Sequence, residues 1–123
     1  MQLWRVSLAG LLAIVAACLI LAQDTPSASG PVTEIRMTAK KYEFAPDTVR
    51  VKVGDRVKLI ITSLDHTHGI KLEAMHIDRK VEKGETITVE FIAGQPGTYP
   101  FECSHFCGLG HKKMKGQVIV AGD

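Results

Sequence analysis

Five side chains that can bind a soft metal ion occur within twelve residues near the end of the chain: Cys103, His105, Cys107, His111 and Met114. Four of them have the spacing C-x3-C-x3-H-x2-M. Thiolate, imidazole and thioether groups suit copper, whereas magnesium and calcium prefer oxygen ligands. The 103–114 loop therefore indicates a metal site of the copper type.

Two glycines, Gly108 and Gly110, lie between the second cysteine and His111. Glycine allows the tight bends that bring the side chains of one loop back to a single point. Such a loop needs a rigid scaffold and at least one further ligand from elsewhere in the chain.

Three histidines outside the loop are candidates for that further ligand. His66 and His68 lie two residues apart after a predicted strand, and the residue pattern alone leaves both open. His76 has no comparable context, so we expect it to be a solvated loop histidine.

The scaffold shows the period-two alternation of β-strands that have one buried and one solvated face. The alternating apolar sets are Ile35, Met37 and Ala39; Val49, Val51 and Val53; Val57, Leu59 and Ile61; and Ile87, Val89 and Phe91. Turn residues separate them, and two further strands, 98–103 and 117–121, flank the loop. No stretch has convincing helical periodicity. We expect an all-β sandwich of about seven strands.

The N-terminal residues 1–23 have the layout of an export signal, with Arg5 followed by an uncharged apolar stretch. Three outcomes are open: cleavage after Ala22, lipidation at Cys18 within a lipobox-like V-A-A-C sequence, and retention as a membrane anchor. Each outcome places the following domain outside the cytoplasm, with a periplasmic location expected. Residues 24–31 are then a linker, and 32–123 form one domain.

The charge balance argues against nucleic acid as a partner. The net charge is +2, and without Arg5 the chain has 14 Lys and Arg against 13 Asp and Glu. A nearly neutral domain lacks the basic surface that nucleic acid requires. No Ser-His-Asp set or paired carboxylates suggest a small-molecule substrate, so we expect no enzyme activity from the chain alone.

Three motifs together resemble the cupredoxins: the run FAPDTVRVKVGD at 44–55, the D-x-x-H-G sequence at 65–69, and YPFEC at 99–103. The loop with two cysteines is similar to the CuA domains of cytochrome c oxidase subunit II and nitrous oxide reductase. The resemblance covers residues 32–121 and implies a Greek-key β-sandwich with a binuclear copper site.

The resemblance also implies a role for each donor in the site. Cys103 and Cys107 match the bridging thiolates, and His68 and His111 match the two imidazole ligands. The weak ligands are matched by the thioether of Met114 and by the backbone carbonyl of His105, where the oxidases have Glu and nitrous oxide reductase has Trp. His66 falls where the family often has an apolar residue, so it is expected outside the ligand set.

The function implied by the resemblance is electron transfer, from a c-type cytochrome or similar donor to a terminal oxidase or reductase. No transmembrane hairpin precedes the domain, so we expect a free-standing or tethered carrier rather than an oxidase subunit. Lys112, Lys113 and Lys115 lie beside the loop's last ligands. They are either a solvated face or a rim that favours an acidic partner.

Other interpretations of the same residues stay open. His68, Cys103, His111 and Met114 would suffice for a single copper of the blue type, with Cys107 unused. The same ligands would serve a Cu(I) chaperone that delivers copper to an oxidase. Two Cys and two His could hold a structural zinc. A disulfide between Cys103 and Cys107 is the interpretation without any metal.

Overall fold

The computed structural model describes residues 31–122, which form nine β-strands and two single 3₁₀ turns. The strands are β1 Val32–Lys40, β2 Glu43–Ala45, β3 Thr48–Lys52, β4 Arg56–Ser63, β5 His68–Leu72, β6 Ile77–Val81, β7 Thr86–Ile92, β8 Gly97–Glu102 and β9 Lys115–Ala121. The 3₁₀ turns span Glu73–Met75 and His111–Lys113. Within residues 31–122, no helix is long and apolar enough to cross a membrane. The expectations for residues 1–23 and nearly all of the linker lie outside the described residues.

The strands form two sheets, which confirms the predicted β-sandwich. The first sheet has the order β2-β1-β4-β7, and the second has the order β3-β9-β8-β5-β6. Strands β1 and β4 pair in parallel, as do β3 and β9, whereas the other pairs are antiparallel. The long crossovers that these parallel pairs require bring distant parts of the sequence together.

The core lies between the sheets and includes most of the alternating apolar residues that the sequence pattern identified, together with residues of the other strands. Met37, Leu59 and Ile61 of the first sheet are buried, as are Phe101 and Val118 of the second. The pattern places these side chains on one face of each strand, where removal from water stabilises the fold by about 25 cal/mol per Å² of apolar surface.

Three strands, β2, β5 and β6, had no predicted counterpart because none of them shows alternation over enough residues to be recognised. Strand β2 has only three residues. In β5 four of the five residues are buried, so both of its faces are covered. Strand β6 lies at a sheet edge and has three consecutive exposed residues. The strand β5 is the important omission, because His68 is its first residue.

Candidate metal centre

The 103–114 loop connects β8 to β9, two neighbouring antiparallel strands of the second sheet. Its two ends are tied together by a hydrogen bond in which the Cys103 amide donates to the Met114 carbonyl at 3.0 Å. Within the loop, the His111 amide donates to the Gly108 carbonyl and the Met114 amide to the His111 carbonyl. The loop's donors are therefore held on a closed backbone rather than on an open connection.

The remaining donor, His68, reaches the loop because β5 and β8 are neighbours in the same sheet. Gly69 follows it, and a Cβ at this position would collide with the Ser104 hydroxyl and lie 3.1 Å from the His105 nitrogen. The missing side chain lets the start of the loop approach β5 closely. This approach brings the Cys103 sulfur to 3.9 Å from Nδ1 of His68.

The two thiols lie side by side, with 3.8 Å between the Sγ atoms of Cys103 and Cys107. This is far longer than a disulfide bond of about 2.05 Å, so both cysteines are free here. The ligand atoms of His68, Cys103 and Cys107 all lie within 4.8 Å of one another, and all three residues are buried.

The second thiol has its own set of neighbours. The Cys107 sulfur is 3.7 Å from Nδ1 of His111 and 3.9 Å from the thioether sulfur of Met114. Met114 is fully buried, whereas His111 is partly exposed. The His105 carbonyl is 3.1 Å from the Cys103 sulfur, and its own side chain is exposed.

The structure thus brings together all six positions that the sequence singled out, and leaves the other histidines apart. The Cys103 sulfur is 3.9 Å from the His68 imidazole and the Cys107 sulfur is 3.7 Å from the His111 imidazole, and His68 lies within 4.8 Å of both sulfurs. The His66 ring is 6.1 Å from the His68 ring, and its Nδ1 faces the Thr67 carbonyl instead. His76 is exposed.

Asp65 is a site residue to which the sequence assigned no role. Its Oδ1 is 2.8 Å from Nε2 of His68, and its Oδ2 accepts the Lys41 amide at 2.8 Å. Burial acts to raise the pKa of Asp65, but the hydrogen bonds from Lys41 and His68 and the attraction of their charges outweigh it, so the pKa is lowered. An ionised carboxylate only accepts hydrogen bonds, so Nε2 carries a hydrogen, which leaves Nδ1 as the nitrogen available to a metal ion beside Cys103. The signal available in the sequence was a carboxylate three residues before the histidine.

The protonation of Cys107 reflects its surroundings. Burial, followed by the nearby Cys103 sulfur, raises the pKa of Cys107 to about 11 from 9.0. Without a cation the pair of thiols therefore favours the protonated form of Cys107, since a thiolate there would be poorly solvated. A metal ion that removes this proton would supply the missing positive charge.

The donor set fits copper. Two thiols, two imidazoles, a thioether and a carbonyl oxygen converge in a mostly buried cluster, and soft sulfur donors with imidazoles suit copper. On one side the cluster borders a cleft of about 460 Å³, whose lining includes His111, Cys103, Lys112 and Lys115. Lys112, Lys113 and Lys115 are exposed, and none of them forms an ion pair within residues 31–122.

The chain is similar to proteins of known families. A family model described as a cupredoxin-like domain matches residues 11–120. Nitrous-oxide reductase of Ralstonia nicotianae is 35% identical over 109 residues, which are 81% of this chain and 17% of that protein. Cytochrome c oxidase subunit 2 of Thermus thermophilus is 34% identical over 86 residues, or 70% of this chain and 64% of that protein. The chain thus spans less than two thirds of the length of either relative.

Among solved structures, the periplasmic domain of subunit II of cytochrome oxidase from Bradyrhizobium japonicum has the same fold. The TM-score is 0.67 at 20% identity, over 73% of this chain and 84% of that one. The resemblance to both kinds of protein that the motifs indicated is confirmed by these matches.

Proposed function

Because the chain belongs to the cupredoxin-like family, we propose that it is an exported electron-transfer protein that holds two copper ions in a CuA-like site. The supporting observation is that two buried thiols lie 3.8 Å apart, with the His68 imidazole 3.9 Å from Cys103 and the His111 imidazole 3.7 Å from Cys107. A single copper of the blue type uses one thiol with two imidazoles, whereas a site with two copper ions would use both thiols and one imidazole for each ion.

In this proposal Cys103 and Cys107 are the bridging thiolates, His68 and His111 each complete one metal position, and Met114 and the His105 carbonyl are weak donors. Two bridged copper ions, when bound, supply one-electron redox chemistry in which the charge is shared over both ions and both sulfurs. The protein holds the donor atoms in a fixed geometry, because a geometry that barely changes with redox state lowers the energy barrier to electron transfer.

Several features of the chain hold the donor atoms in place. His68 is fully buried at the start of a strand, and Asp65 fixes both its ring orientation and its tautomer. The amide of Cys103 and the carbonyl of Met114 are bonded at the junction of two strands. The Cys107 thiol must lose its proton to bind copper, so copper binding at this sulfur would release a proton.

We assign the chain to electron carriers rather than to enzymes, with a protein as its redox partner. His111 is the proposed imidazole ligand that is partly exposed, and the exposed Lys112, Lys113 and Lys115 follow it closely in the sequence. A basic rim of this kind favours an acidic surface on the partner. A c-type cytochrome or a terminal oxidase or reductase is the expected class of partner.

The proposed location is the periplasm or the outer face of a membrane, supported by the export-like segment at residues 1–23. The mass of the mature chain distinguishes the outcomes. A start at Gln23 means cleavage after Ala22, a lipid-modified start at Cys18 means a lipoprotein, and a complete chain means an anchor.

The experiment that tests the binuclear proposal combines copper stoichiometry with electron paramagnetic resonance on the copper-loaded protein. We expect two coppers per chain and one unpaired electron split by both nuclei. One copper with an intense blue or green band would instead favour the single-copper carrier. A colourless protein that holds only Cu(I) would favour the chaperone.

Two matched variants sharpen this experiment. Cys107→Ser removes one proposed bridge, so we expect the two-copper signal to disappear and a single-copper signal to remain possible. Cys18→Ser makes the same change at the chain's third cysteine and should leave the spectrum as it was. A Cys107→Ser protein with the wild-type spectrum would exclude Cys107 as a ligand.

A further inference from the structure

The ring of Tyr42, in the turn between β1 and β2, lies directly against the two glycines of the 103–114 loop. A Cβ at Gly110 would be 2.6 Å from Cγ and 2.7 Å from Cε2 of Tyr42, and a Cβ at Gly108 would be 3.1 Å from Cε1. Non-bonded carbon atoms pack at about 3.5–4.0 Å, so the ring occupies the space that a side chain at either position would need.

The need for glycine at position 110 comes from this contact. Gly110 has φ −89°, which any residue can adopt. A bend in the backbone therefore does not explain the absence of a side chain there, whereas the Tyr42 ring does. Glycine leaves the backbone free to move, so a loop with two glycines has little packing of its own. The Tyr42 ring supplies that packing.

The same turn also reaches the other half of the site. The Lys41 amide donates to Oδ2 of Asp65 at 2.8 Å, and Oδ1 of Asp65 is 2.8 Å from Nε2 of His68. Adjacent residues thus contact both halves: Lys41 acts on His68 through Asp65, and Tyr42 acts on the segment between Cys107 and His111.

We propose that the Lys41–Tyr42 turn is a positioning element for the metal centre, in which the Tyr42 ring holds the Gly108–Gly110 segment and thereby fixes His111 and Met114 relative to His68. Tyr42 is a positioning residue and not a ligand. Its effect on copper rests on the proposed function, whereas its effect on the loop does not.

The contact predicts which part of the tyrosine matters. All three atoms nearest to Gly110 are ring carbons: Cδ2, Cγ and Cε2. At Gly108 the nearest atom is the Tyr42 hydroxyl oxygen, followed by the ring carbons Cε1 and Cζ. Phenylalanine keeps the ring carbons at both glycines and loses only this hydroxyl, so Tyr42→Phe should still hold the loop as the wild type does, whereas Tyr42→Ala should release it. The chain's other tyrosine provides a matched control, because the Tyr99 ring lies against Gly97 and its hydroxyl donates to the Gln95 carbonyl.

The first test uses hydrogen exchange on the metal-free full-length chain, read by mass spectrometry over residues 104–114. The amides of His111 and Lys113 donate to the Gly108 and Gly110 carbonyls at 3.1 and 2.9 Å, so they report on order in this segment. We expect Tyr42→Ala to speed exchange there by about tenfold, a loss of about 1.4 kcal/mol of local stability. Tyr42→Phe and Tyr99→Ala should leave this segment unchanged.

A second test combines substitutions at the two residues that form the contact, Tyr42 and Gly110. Gly110→Ala in the wild-type background should speed exchange in the same segment, because the new methyl group meets the Tyr42 ring. In the Tyr42→Ala background the same change should cause no further loss, since the ring is absent. Coupling between the two changes shows that they act through one contact, whereas simple additivity would contradict it.

The third test measures copper release to an excess chelator and the spectrum of the loaded protein. Tyr42→Ala should release copper about ten times faster or more, with an altered hyperfine pattern, and Tyr42→Phe should match the wild type. Wild-type exchange rates in Tyr42→Ala would overturn the inference, as would unchanged copper release. If the wild type binds no copper, the proposed function fails, and the exchange experiments alone decide the inference.

Discussion

Removal of the Asp65 carboxylate should weaken copper binding through His68 without touching any ligand. Asp65 orients the fully buried His68 ring through a contact of 2.8 Å between Oδ1 and Nε2. Without it, the ring can rotate or change tautomer, so that Nδ1 presents a hydrogen instead of a lone pair toward Cys103. The variants to compare are Asp65→Ala and Asp65→Asn.

The size of the effect follows from the contact and its exposure. Loss of a partner that holds a metal-binding histidine costs about 10- to 100-fold in affinity. The Asp65 side chain is 38% exposed, so water can replace part of its role. We therefore expect the lower part of that range for Asp65→Ala, about 10- to 30-fold, or about 1.4–2 kcal/mol.

The asparagine variant should be milder. Its amide oxygen can still accept the Nε2 hydrogen and the Lys41 amide, but it carries no charge. Charge-assisted hydrogen bonds are roughly twice as strong as neutral ones, so about half of the free energy should remain. This corresponds to a loss of about three- to fivefold in affinity.

The assay is a competition between the protein and a chelator of known copper affinity, followed by the absorbance of the loaded site. Asp47→Asn is the matched control, because it makes the same charge change at an exposed carboxylate that accepts from the Thr48 hydroxyl. Asp65→Ala with an affinity within about twofold of the wild type would refute the reasoning, as would an Asn variant weaker than the Ala variant.

Three further predictions concern the thiols, the lysines and the approach of the loop to β5. Burial raises the pKa of Cys107 from 9.0 to about 11, so the folded metal-free protein favours the protonated thiol. The stability that this protonated thiol contributes is therefore complete below pH 9 and is lost as the pH rises through 11. Urea unfolding with chelator and reductant should show wild type losing stability relative to Cys107→Ser over this interval, and parallel pH profiles would contradict the raised pKa. Changing Lys112 and Lys113 to Gln should slow electron transfer to an acidic partner at low salt and flatten its dependence on ionic strength; stopped-flow rates that match wild type at every salt concentration would show a merely solvated face. Gly69→Ala should push the Ser104 hydroxyl and the His105 amide away from β5 and reduce copper affinity by about tenfold, and Ser104→Gly in the same chain should restore part of it, as chelator competition would show; a Gly69→Ala protein with wild-type affinity would mean that the close approach is not needed.

The fold was predictable where one face of a strand is buried and the other is solvated. Strands β1, β3, β4 and β7 all have this pattern, and their apolar residues form the core. The pattern disappears in β5, because four of its five residues are buried, and in β6, because it lies at an edge of the sheet. Alternation reports the burial of one face, so strands covered or exposed on both faces escape it.

The residues of the candidate site likewise differ in how far the sequence could predict them. Cys103, Cys107, His111 and Met114 are recognisable because their spacing along the chain is also their arrangement in space, within a single loop. His68 could be chosen over His66 only through the resemblance, because the sequence pattern does not show that β5 pairs with β8.

The supporting residues are still further from what spacing can reveal. Nothing in the sequence distinguishes Asp65 and Tyr42 from ordinary surface residues. Asp65 accepts a hydrogen bond from the turn that follows β1, and Tyr42 is part of that turn. That turn is at the same end of the sandwich as the site because β1 runs parallel to β4, so that the ends of both strands meet where β4 leads toward His68. A parallel pairing between strands that are separated in sequence by β2 and β3 leaves no local signal, since it depends on how the whole first sheet is assembled. The proposed ligands in the loop can therefore be recognised from the sequence, whereas the residues proposed to fix their geometry can be identified only from the fold.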